Sequence, residues 1–254
     1  MALHLMKLIL RILARSIGGV LGKVTSRRLL ALLIQEWTPA TVRESLEFLF
    51  ALEDEIEQGI ANKALEYGSG IHPKHRLMNY HQFFIDRLEP GSSVLDVGCG
   101  RGAVAAALVH AKNVTVTGID EVPDVIARAR KAFVHERLTF VEGRVPEDLP
   151  GGHFDTVVLS NVLEHVEDRV GLLRILRESV SPEQYLIRLP LFDRHWTIPL
   201  RAELGIDYFS DSTHFAELTS EGWIKEIEAA GLQVSEYVIH FGEIWLTAVS
   251  IFTP

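Results

Sequence analysis

The chain has 254 residues, of which 47% are hydrophobic and 23% charged, a composition typical of globular rather than disordered proteins. Its formal net charge of −9 argues against a nucleic-acid partner, which would require a basic surface. Cys99 is the only cysteine, so an intramolecular disulfide is excluded and a reducing, cytoplasmic location is expected.

Residues 1–66 are predicted to form a helical extension of a domain that covers residues 67–254. The first 35 residues carry six basic side chains and no acidic one, and Lys7, Arg11 and Arg15 recur every four positions in an apolar stretch. Three charges within nine positions argue against a transmembrane helix, whereas a basic amphipathic helix suits the surface of an anionic membrane. We therefore predict peripheral contact with the inner face of the membrane through residues 1–35. A cleaved targeting peptide and a helix packed on the body or on a second subunit remain as alternatives.

The segment that follows is predicted to be flexible at residues 67–70 and helical over residues 71–88. Arg76 lies in the first turn of that helix, beside Lys74 and His75. A basic first turn that is exposed to water is one interpretation of these residues.

Residues 94–102, VLDVGCGRG, are predicted to form a short buried strand and a glycine turn, and an alanine-rich helix follows at residues 103–111. Such a turn lets the backbone approach a ligand closely and presents the free N–H groups of a helix N-terminus. The dinucleotide fingerprint needs glycine at position 103, where this chain has Ala103. Asp96, two residues before the first glycine, suits a ligand that carries a cation.

This stretch resembles motif I of the class I S-adenosylmethionine (SAM) methyltransferases. Their E/D-x-G-x-G-x-G pattern is matched by Asp96, Gly98, Gly100 and Gly102. The resemblance implies that SAM is the cofactor, with the acid by its methionyl end and the glycine backbone passing close beneath it. Cys99 lies inside the turn and is included among the cofactor-binding residues, as a small packing residue rather than a nucleophile.

The preceding string GSGIHPKHRL resembles the segment before motif I in methyltransferases of glycan assembly. In related folds a basic or aromatic residue at this place reaches the carboxylate of the cofactor. The resemblance therefore makes Arg76 a candidate for that contact.

Residues 113–120 are predicted to form a second strand that ends in an acid. Asp120 follows Gly100 by 20 residues, the spacing at which a carboxylate accepts hydrogen bonds from the ribose hydroxyls. Glu121 and Val122 come next, where the resemblance implies packing against the adenine ring.

The third strand is predicted at residues 138–143. Members of the family usually have an aspartate after it that meets the adenine amino group, but Arg144 occupies that position here. The resemblance still implies a backbone contact from Val145, and Glu142 or Glu147 are alternative acidic partners.

Residues 153–168 are predicted to contain the fourth strand and the turn after it, and they resemble the F-D-x-V…E-H segment of small-molecule methyltransferases. Ser160 and Asn161 fall at the carboxyl end of this strand, where open α/β sheets bind their ligands.

Glu164 and His165 follow, near the place where an acceptor must stand, and three roles for them remain open. His165 could remove the hydroxyl proton of the acceptor, a role for which His195 and His214 are rivals. The pair could bind a divalent metal, as in quinone-pathway O-methyltransferases with a similar pair; those enzymes have a further acid where this chain has Asn161. The pair could instead be structural. The prediction names Glu164 and His165 as catalytic and assigns no metal site.

The remaining chain is predicted to supply a fifth strand at residues 184–190, an acceptor-binding segment rich in aromatic and polar residues at 191–218, and an antiparallel strand pair around Gly242. The resemblance implies an α/β, Rossmann-like sheet of seven strands, mostly parallel with the last strand antiparallel, flanked by helices.

The predicted function is SAM-dependent O-methylation of a hydroxyl on a glycan or lipid-linked saccharide at the membrane surface. A lipophilic small molecule such as a quinol precursor is the alternative acceptor. A non-catalytic binding module that keeps the fold is a hypothesis of a different class.

Overall fold

The computed structural model describes residues 22, 24–36, 41–69 and 72–251, so the predicted amphipathic helix before residue 22 lies outside the described part. The chain forms two compact units, Met1–Lys63 and Ala64–Pro254. The division between the two units, after Lys63, falls within the helix Val42–Tyr67, and the predicted division after residue 66 falls at the end of the same helix. No helix among the described residues is long and apolar enough to cross a membrane.

The first unit is helical where it is described. Residues 24–36 form α1, and α2 spans Val42–Tyr67. Thr41 and Glu44 form a reciprocal cap at the start of α2: Thr41 Oγ1 accepts from the N–H of Glu44 at 3.1 Å, and Glu44 Oε2 accepts from the N–H of Thr41 at 2.9 Å. Phe50 is the buried residue of α2.

The second unit is a sheet of seven strands with helices around it. Its helices are α3 (Lys74–Met78), α4 (Tyr80–Asp86), α5 (Ala103–Ala111), α6 (Pro123–Ala132), α7 (Arg169–Ser179), α8 (Thr197–Leu204) and α9 (Ser220–Ala229). Its strands are β1 (Ser93–Val97), β2 (Thr115–Asp120), β3 (Leu138–Glu142), β4 (Thr156–Ser160), β5 (Gln184–Pro190), β6 (Leu232–His240) and β7 (Glu243–Ser250).

The strands are ordered β3-β2-β1-β4-β5-β7-β6. Neighbours among β1 to β5 pair in parallel, and β7 runs antiparallel to both β5 and β6. The predicted seven-stranded, mostly parallel sheet is confirmed. The strand order reverses beside β1, and the cleft outside the carboxyl ends of β1 and β4 is where open α/β sheets bind ligands.

Both faces of the sheet are buried at its central strands β1, β4 and β5, which explains why these strands are almost continuously apolar, whereas the edge strand β6 is largely exposed. One hydrophobic cluster is centred on Trp223, Tyr185 and Leu173, and the other includes Phe84 and Leu108. The side chain of Trp223 also donates a 2.8 Å hydrogen bond to the carbonyl of Pro190.

The helices differ from the sequence prediction at two places in the chain. The single helix expected over residues 71–88 is two helices, because Asn79 adopts a left-handed conformation with φ of 50° and closes α3 through its N–H to the carbonyl of His75. Asparagine tolerates this conformation better than most residues. In the segment after β5, α8 was not predicted.

Candidate functional site

The glycine turn joins β1 to α5, and its three glycines all have positive φ, at 62° for Gly98, 54° for Gly100 and 78° for Gly102. A Cβ on Gly98 would lie 2.8 Å from Val162, and one on Gly102 would collide with the ring of Phe140. A Cβ on Gly100 would meet no atom within 4 Å. Two of the glycines are therefore required by packing, whereas Gly100 borders open space that a ligand can enter.

Asp96 lies near the end of β1 and is only 1% exposed. Its Oδ2 has no hydrogen-bond partner among the described residues. Burial raises the pKa of Asp96 to about 7, the N–H of Ala105 works against this rise, and the nearby charge of Asp120 adds to it. A buried carboxyl with an unpaired oxygen gains most from a cation that binds beside it.

Asp120 ends β2 and is held by the backbone on both oxygens. Its Oδ2 accepts from the N–H of Gly100 at 2.9 Å, and its Oδ1 accepts from the N–H of Val122 at 3.0 Å. A hydrogen bond therefore links the glycine turn directly to Asp120, the predicted ribose-binding residue. Val122 is 45% exposed, and a flat ring can pack against it.

The predicted adenine end is built from the residues after β2 and β3. Arg144, which stands where the family usually has an aspartate, is exposed and forms an ion pair with Glu121 at 3.3 Å. Its positive charge is therefore paired at the surface. Its N–H donates to Asp148 at 2.9 Å. Val145 is half-buried and packs against the core cluster around Trp223.

Cys99 is buried inside the turn. Its N–H donates to the carbonyl of Ile119 at 3.0 Å, and its side chain lies against Gly118. Burial raises the pKa of the thiol well above its usual value, with smaller contributions from Asp96 and Asp120. A thiol in this state is a poor nucleophile.

Ser160 and Asn161 lie at the carboxyl end of β4, next to the end of β5. Arg188 donates to Ser160 Oγ at 3.4 Å, and the N–H of Asn161 donates to the carbonyl of Arg188 at 2.9 Å. Asn161 has a φ of 55°, and its Oδ1 is buried without a partner in the part of the chain that the structure describes. An amide oxygen in this position can accept a hydrogen bond from a bound ligand.

Glu164, His165 and His214 form a cluster beyond β4, which we call the acceptor cluster. One donor atom from each residue lies within 4.8 Å of the others. Glu164 is 0% exposed, and neither of its carboxylate oxygens has a hydrogen-bond partner among the described residues. Burial raises its pKa to about 8. The two imidazole rings meet edge to face, with centroids 4.5 Å apart.

The two histidines are held through Nδ1. His165 Nδ1 lies 2.9 Å from Thr213 Oγ1, and Thr213 in turn donates to Asp211 at 2.7 Å. His214 Nδ1 lies 2.8 Å from a carboxylate oxygen of Glu217. Burial and the neighbouring His214 lower the pKa of His165, which favours the neutral imidazole at neutral pH.

Glu217 is a fixed, fully buried anion beneath His214. It accepts hydrogen bonds from both the N–H and the hydroxyl of Ser210, at 2.7 and 2.6 Å, and it pairs with Arg194. Burial alone would raise the pKa of Glu217, but the Ser210 bonds and the Arg194 charge bring it below its usual value. The carboxylate therefore stays ionised at neutral pH.

Arg188, Glu243 and Tyr80 form a buried polar group beside the cluster that sequence reasoning missed. Arg188 donates to Glu243 through two nitrogens, at 2.5 and 2.6 Å, and its guanidinium lies 3.9 Å from the ring centre of Tyr80. The sequence contained a sign of this group, since Arg188 is the one charged residue in the mostly apolar QYLIRLP of β5.

Two candidate site residues from the sequence analysis, Arg76 and His195, lie outside the acceptor cluster. Arg76 is exposed on α3 and lines an open cleft with Tyr67, His72 and their neighbours. His195 is exposed and bonds Thr197 at 2.7 Å, so of the three rival bases only His165 and His214 come together. The contact of Arg76 with a cofactor stays a prediction.

The comparisons with known proteins all find methyltransferases. A family model described as "Methyltransferase domain" matches residues 71–237. Ribosomal protein L11 methyltransferase from Burkholderia thailandensis is 35% identical over 115 residues, which are 45% of this chain and 35% of that protein. The chain therefore spans about a third of the length of this curated relative.

Solved structures share the fold. Magnesium protoporphyrin IX methyltransferase from Synechocystis PCC 6803, with bound SAH, matches with a TM-score of 0.55 and 19% identity, over 70% of this chain and 83% of that one. Mitomycin 7-O-methyltransferase matches with a TM-score of 0.57 and 19% identity, over 75% of this chain and 58% of that one.

Proposed function

Because the chain belongs to the family of methyltransferase domains, we propose that it transfers the methyl group of SAM to a hydroxyl of a glycan or lipid-linked saccharide. The observation that carries the proposal is the open space beside Gly100, in a turn that follows the buried carboxyl Asp96 and is hydrogen-bonded to the ribose-binding candidate Asp120. The unpaired oxygen of Asp96 suits the cationic end of SAM, and Asp120 suits its ribose hydroxyls. The residues present therefore fit this cofactor.

The reaction requires little chemistry from the protein. When bound, SAM would supply a methyl group on a positively charged sulfur: the acceptor oxygen would form a bond to the methyl carbon as the carbon–sulfur bond breaks in line, and the sulfur would leave as a neutral thioether. The protein holds the acceptor oxygen in position and receives its proton, and positioning is the larger of these two contributions. We assign proton removal to the acceptor cluster, with His165 as the proton acceptor and Glu164 beside it.

The aromatic residues near the acceptor cluster support a sugar as the acceptor. Phe215 is 58% exposed, and its backbone N–H donates to the carbonyl of Glu164 at 2.8 Å, so an exposed aromatic residue follows the cluster residue His214 directly. Exposed aromatic rings beside charged hydrogen-bonding groups are typical of sites that bind polyhydroxyl ligands. A flat lipophilic molecule such as a quinol precursor could stack on the same ring and is the second candidate.

A membrane-surface location is supported by α1. Its leucines, among them Leu32 and Leu33, are exposed, and so are Arg27 and Arg28. A helix that combines exposed leucines with basic residues suits the interface of an anionic bilayer. This part of the proposal includes residues 1–21, which lie outside the described structure.

Calorimetry with SAM and with its demethylated product tests the cofactor. We expect both to bind one site per chain. Binding of neither would end the proposal and favour a non-catalytic module.

A radiolabelled methyl-transfer screen tests the acceptor. Cell-envelope extracts are incubated with the full chain and labelled SAM, then fractionated into polysaccharide, lipid and protein. We expect label in the saccharide or lipid-linked saccharide fraction, whereas label confined to small lipophilic molecules would favour the second candidate.

A vesicle assay tests the location. Deletion of residues 1–36, which removes α1 together with the segment before it, is expected to abolish sedimentation with anionic vesicles, and deletion of residues 1–22 is expected to weaken it. Both deletions should leave SAM affinity unchanged. Vesicle binding by the chain without residues 1–36 that equals that of the full chain would reject the membrane role of this region.

A further inference from the structure

The acceptor cluster has the composition of a metal site. Glu164, His165 and His214 each offer one donor atom, and these atoms lie within 4.8 Å of one another. Donor atoms that share one tetrahedral ion at about 2.1 Å lie roughly 3.4 Å apart, so the three atoms, which lie within 4.8 Å of one another, would approach by up to about 1.4 Å on binding the ion. Glu164 and His165 are adjacent in sequence, whereas His214 comes from the segment after β5.

The hydrogen bonds on Nδ1 leave the Nε2 lone pair free on both histidines. Thr213 donates its single hydroxyl proton to Asp211, so it can only accept from His165, and Nδ1 of His165 must carry the proton. His214 donates from Nδ1 to the carboxylate of Glu217. In both neutral rings Nε2 is therefore the atom that is able to bind a metal.

Glu164 supplies the observation that points to a ligand. Its carboxyl group is completely buried, and both oxygens lack a hydrogen-bond partner among the described residues. Buried polar atoms are almost always paired, because leaving them unpaired costs free energy. A cation bound by these oxygens would satisfy them.

The surroundings of the histidines match those of metal ligands. Metal-binding histidines usually donate their second N–H to a carboxylate or another fixed acceptor, which orients the ring. Glu217 does this for His214 and is itself held by Ser210 and Arg194. Asp211 acts on His165 through Thr213.

We propose that Glu164, His165 and His214 bind one divalent ion of the zinc or iron(II) class. Two imidazoles and one carboxylate favour these ions over magnesium or calcium, which prefer ligand sets made only of oxygen. Three protein ligands leave at least one coordination position open, as in catalytic metal sites. His165 is exposed, so the open side of the site faces solvent.

The role of this ion rests on the proposed function. An acceptor hydroxyl in the open position would ionise more readily, because a bound cation stabilises the alkoxide. The ion would occupy Nε2 of His165, so in the loaded protein His165 would be a metal ligand instead of the proton acceptor, and the hydroxyl proton would pass to solvent water at the exposed side of the site. The acceptor and the in-line geometry of methyl transfer would stay the same.

Cobalt(II) is the probe for the site, because its visible absorption reports the coordinating atoms. The full chain, without a polyhistidine tag and stripped with a chelator, is titrated with Co²⁺ in the absence of SAM, and Zn²⁺ is then added as a competitor. We expect one Co²⁺ per chain and displacement by one Zn²⁺.

The variants assign the ligands. His165→Ala, His214→Gln and Glu164→Gln are each expected to weaken Co²⁺ binding by about 100-fold or more, and Glu217→Gln by about 10- to 100-fold. His195→Ala lies on the same segment as His214 but outside the cluster, and it should bind as the wild type does. Because His165 is exposed, His165→Ala keeps the test valid if a buried variant fails to fold.

Two results would overturn the proposal: no stoichiometric Co²⁺ binding by the wild-type chain, or unchanged binding by both His165→Ala and His214→Gln. Calorimetry with SAM on the metal-free chain separates this failure from a failure of the proposed function. Metal binding without SAM binding would reject the methyltransferase proposal alone. SAM binding without metal binding would reject the metal site alone.

Discussion

The backbone N–H of Gly100 donates a 2.9 Å hydrogen bond to Oδ2 of Asp120. This bond ties the middle of the glycine turn to the end of the neighbouring strand, so the two parts of the predicted cofactor site are positioned together before a ligand arrives. Preorganisation of this kind lowers the entropic cost of binding.

Asp120→Ala is expected to weaken SAM binding by about 10- to 100-fold. The substitution would remove one charge-assisted hydrogen bond to the ribose, which contributes roughly 1.5–3 kcal/mol, and it frees the N–H of Gly100. Calorimetric measurement of the SAM dissociation constant checks this. Asp124→Asn, an exposed acid in the first turn of α6, is the control and should leave the affinity unchanged.

Gly100→Ala and Gly98→Ala are expected to separate binding from folding. Both positions have positive φ, so each alanine costs about 1–2 kcal/mol of backbone strain. At Gly100 the new methyl group enters the open space and should weaken SAM binding, whereas at Gly98 it meets Val162 and should lower the melting temperature further. Val162→Ala in the Gly98→Ala background should recover part of that loss. Equal melting temperatures for the two single variants would contradict the packing argument.

The SAM affinity is expected to rise with pH between 6 and 8. Burial raises the pKa of Asp96 to about 7, so below that pH the free protein carries a neutral Asp96 that must lose its proton to attract a cation. The dissociation constant should fall by up to about tenfold per pH unit below pH 7 and level off above it. Asp96→Asn should bind SAM more weakly and should lack this slope. A wild-type slope that matches that of Asp96→Asn would show that Asp96 does not bind the cationic end of SAM.

Glu243→Ala is expected to destabilise the protein by about 3–5 kcal/mol, because it leaves the guanidinium of Arg188 buried without its bidentate partner. Chemical denaturation measures the change. The double variant Arg188→Met, Glu243→Leu should recover most of the loss, since it removes both charges. Glu136→Ala removes one partner of an exposed pair and should change the stability by no more than about 0.5 kcal/mol.

The parts of the fold that the sequence predicted correctly are those that local patterns determine. Apolar runs that end in Asp96, Asp120 and Ser160 set three strands, and the spacing of glycines after Asp96 set the turn between β1 and α5. The mostly parallel sheet followed from the resemblance of these motifs to those of the SAM methyltransferases, and the ligand site was expected at the carboxyl ends of its strands because open α/β sheets bind ligands there.

The acceptor cluster was less predictable because it depends on contacts between distant residues. His214 was one of three rival bases, and nothing in its neighbours distinguished it from His195. The path of the chain after β5 brings it to His165, where the N–H of Phe215 binds the carbonyl of Glu164. The break at Asn79 was missed for a different reason, since a single left-handed residue leaves the apolar periodicity around it intact.

The burial of Cys99 has a practical consequence. This residue is the chain's sole thiol and is only 8% exposed beneath the glycine turn, so an alkylating reagent can reach it only when the turn opens. The rate at which Cys99 is alkylated in the folded protein therefore reports how often the turn opens. A compound that binds in the cleft and keeps the turn closed should lower this alkylation rate. Alkylation of Cys99 can therefore measure ligand binding without knowledge of the reaction.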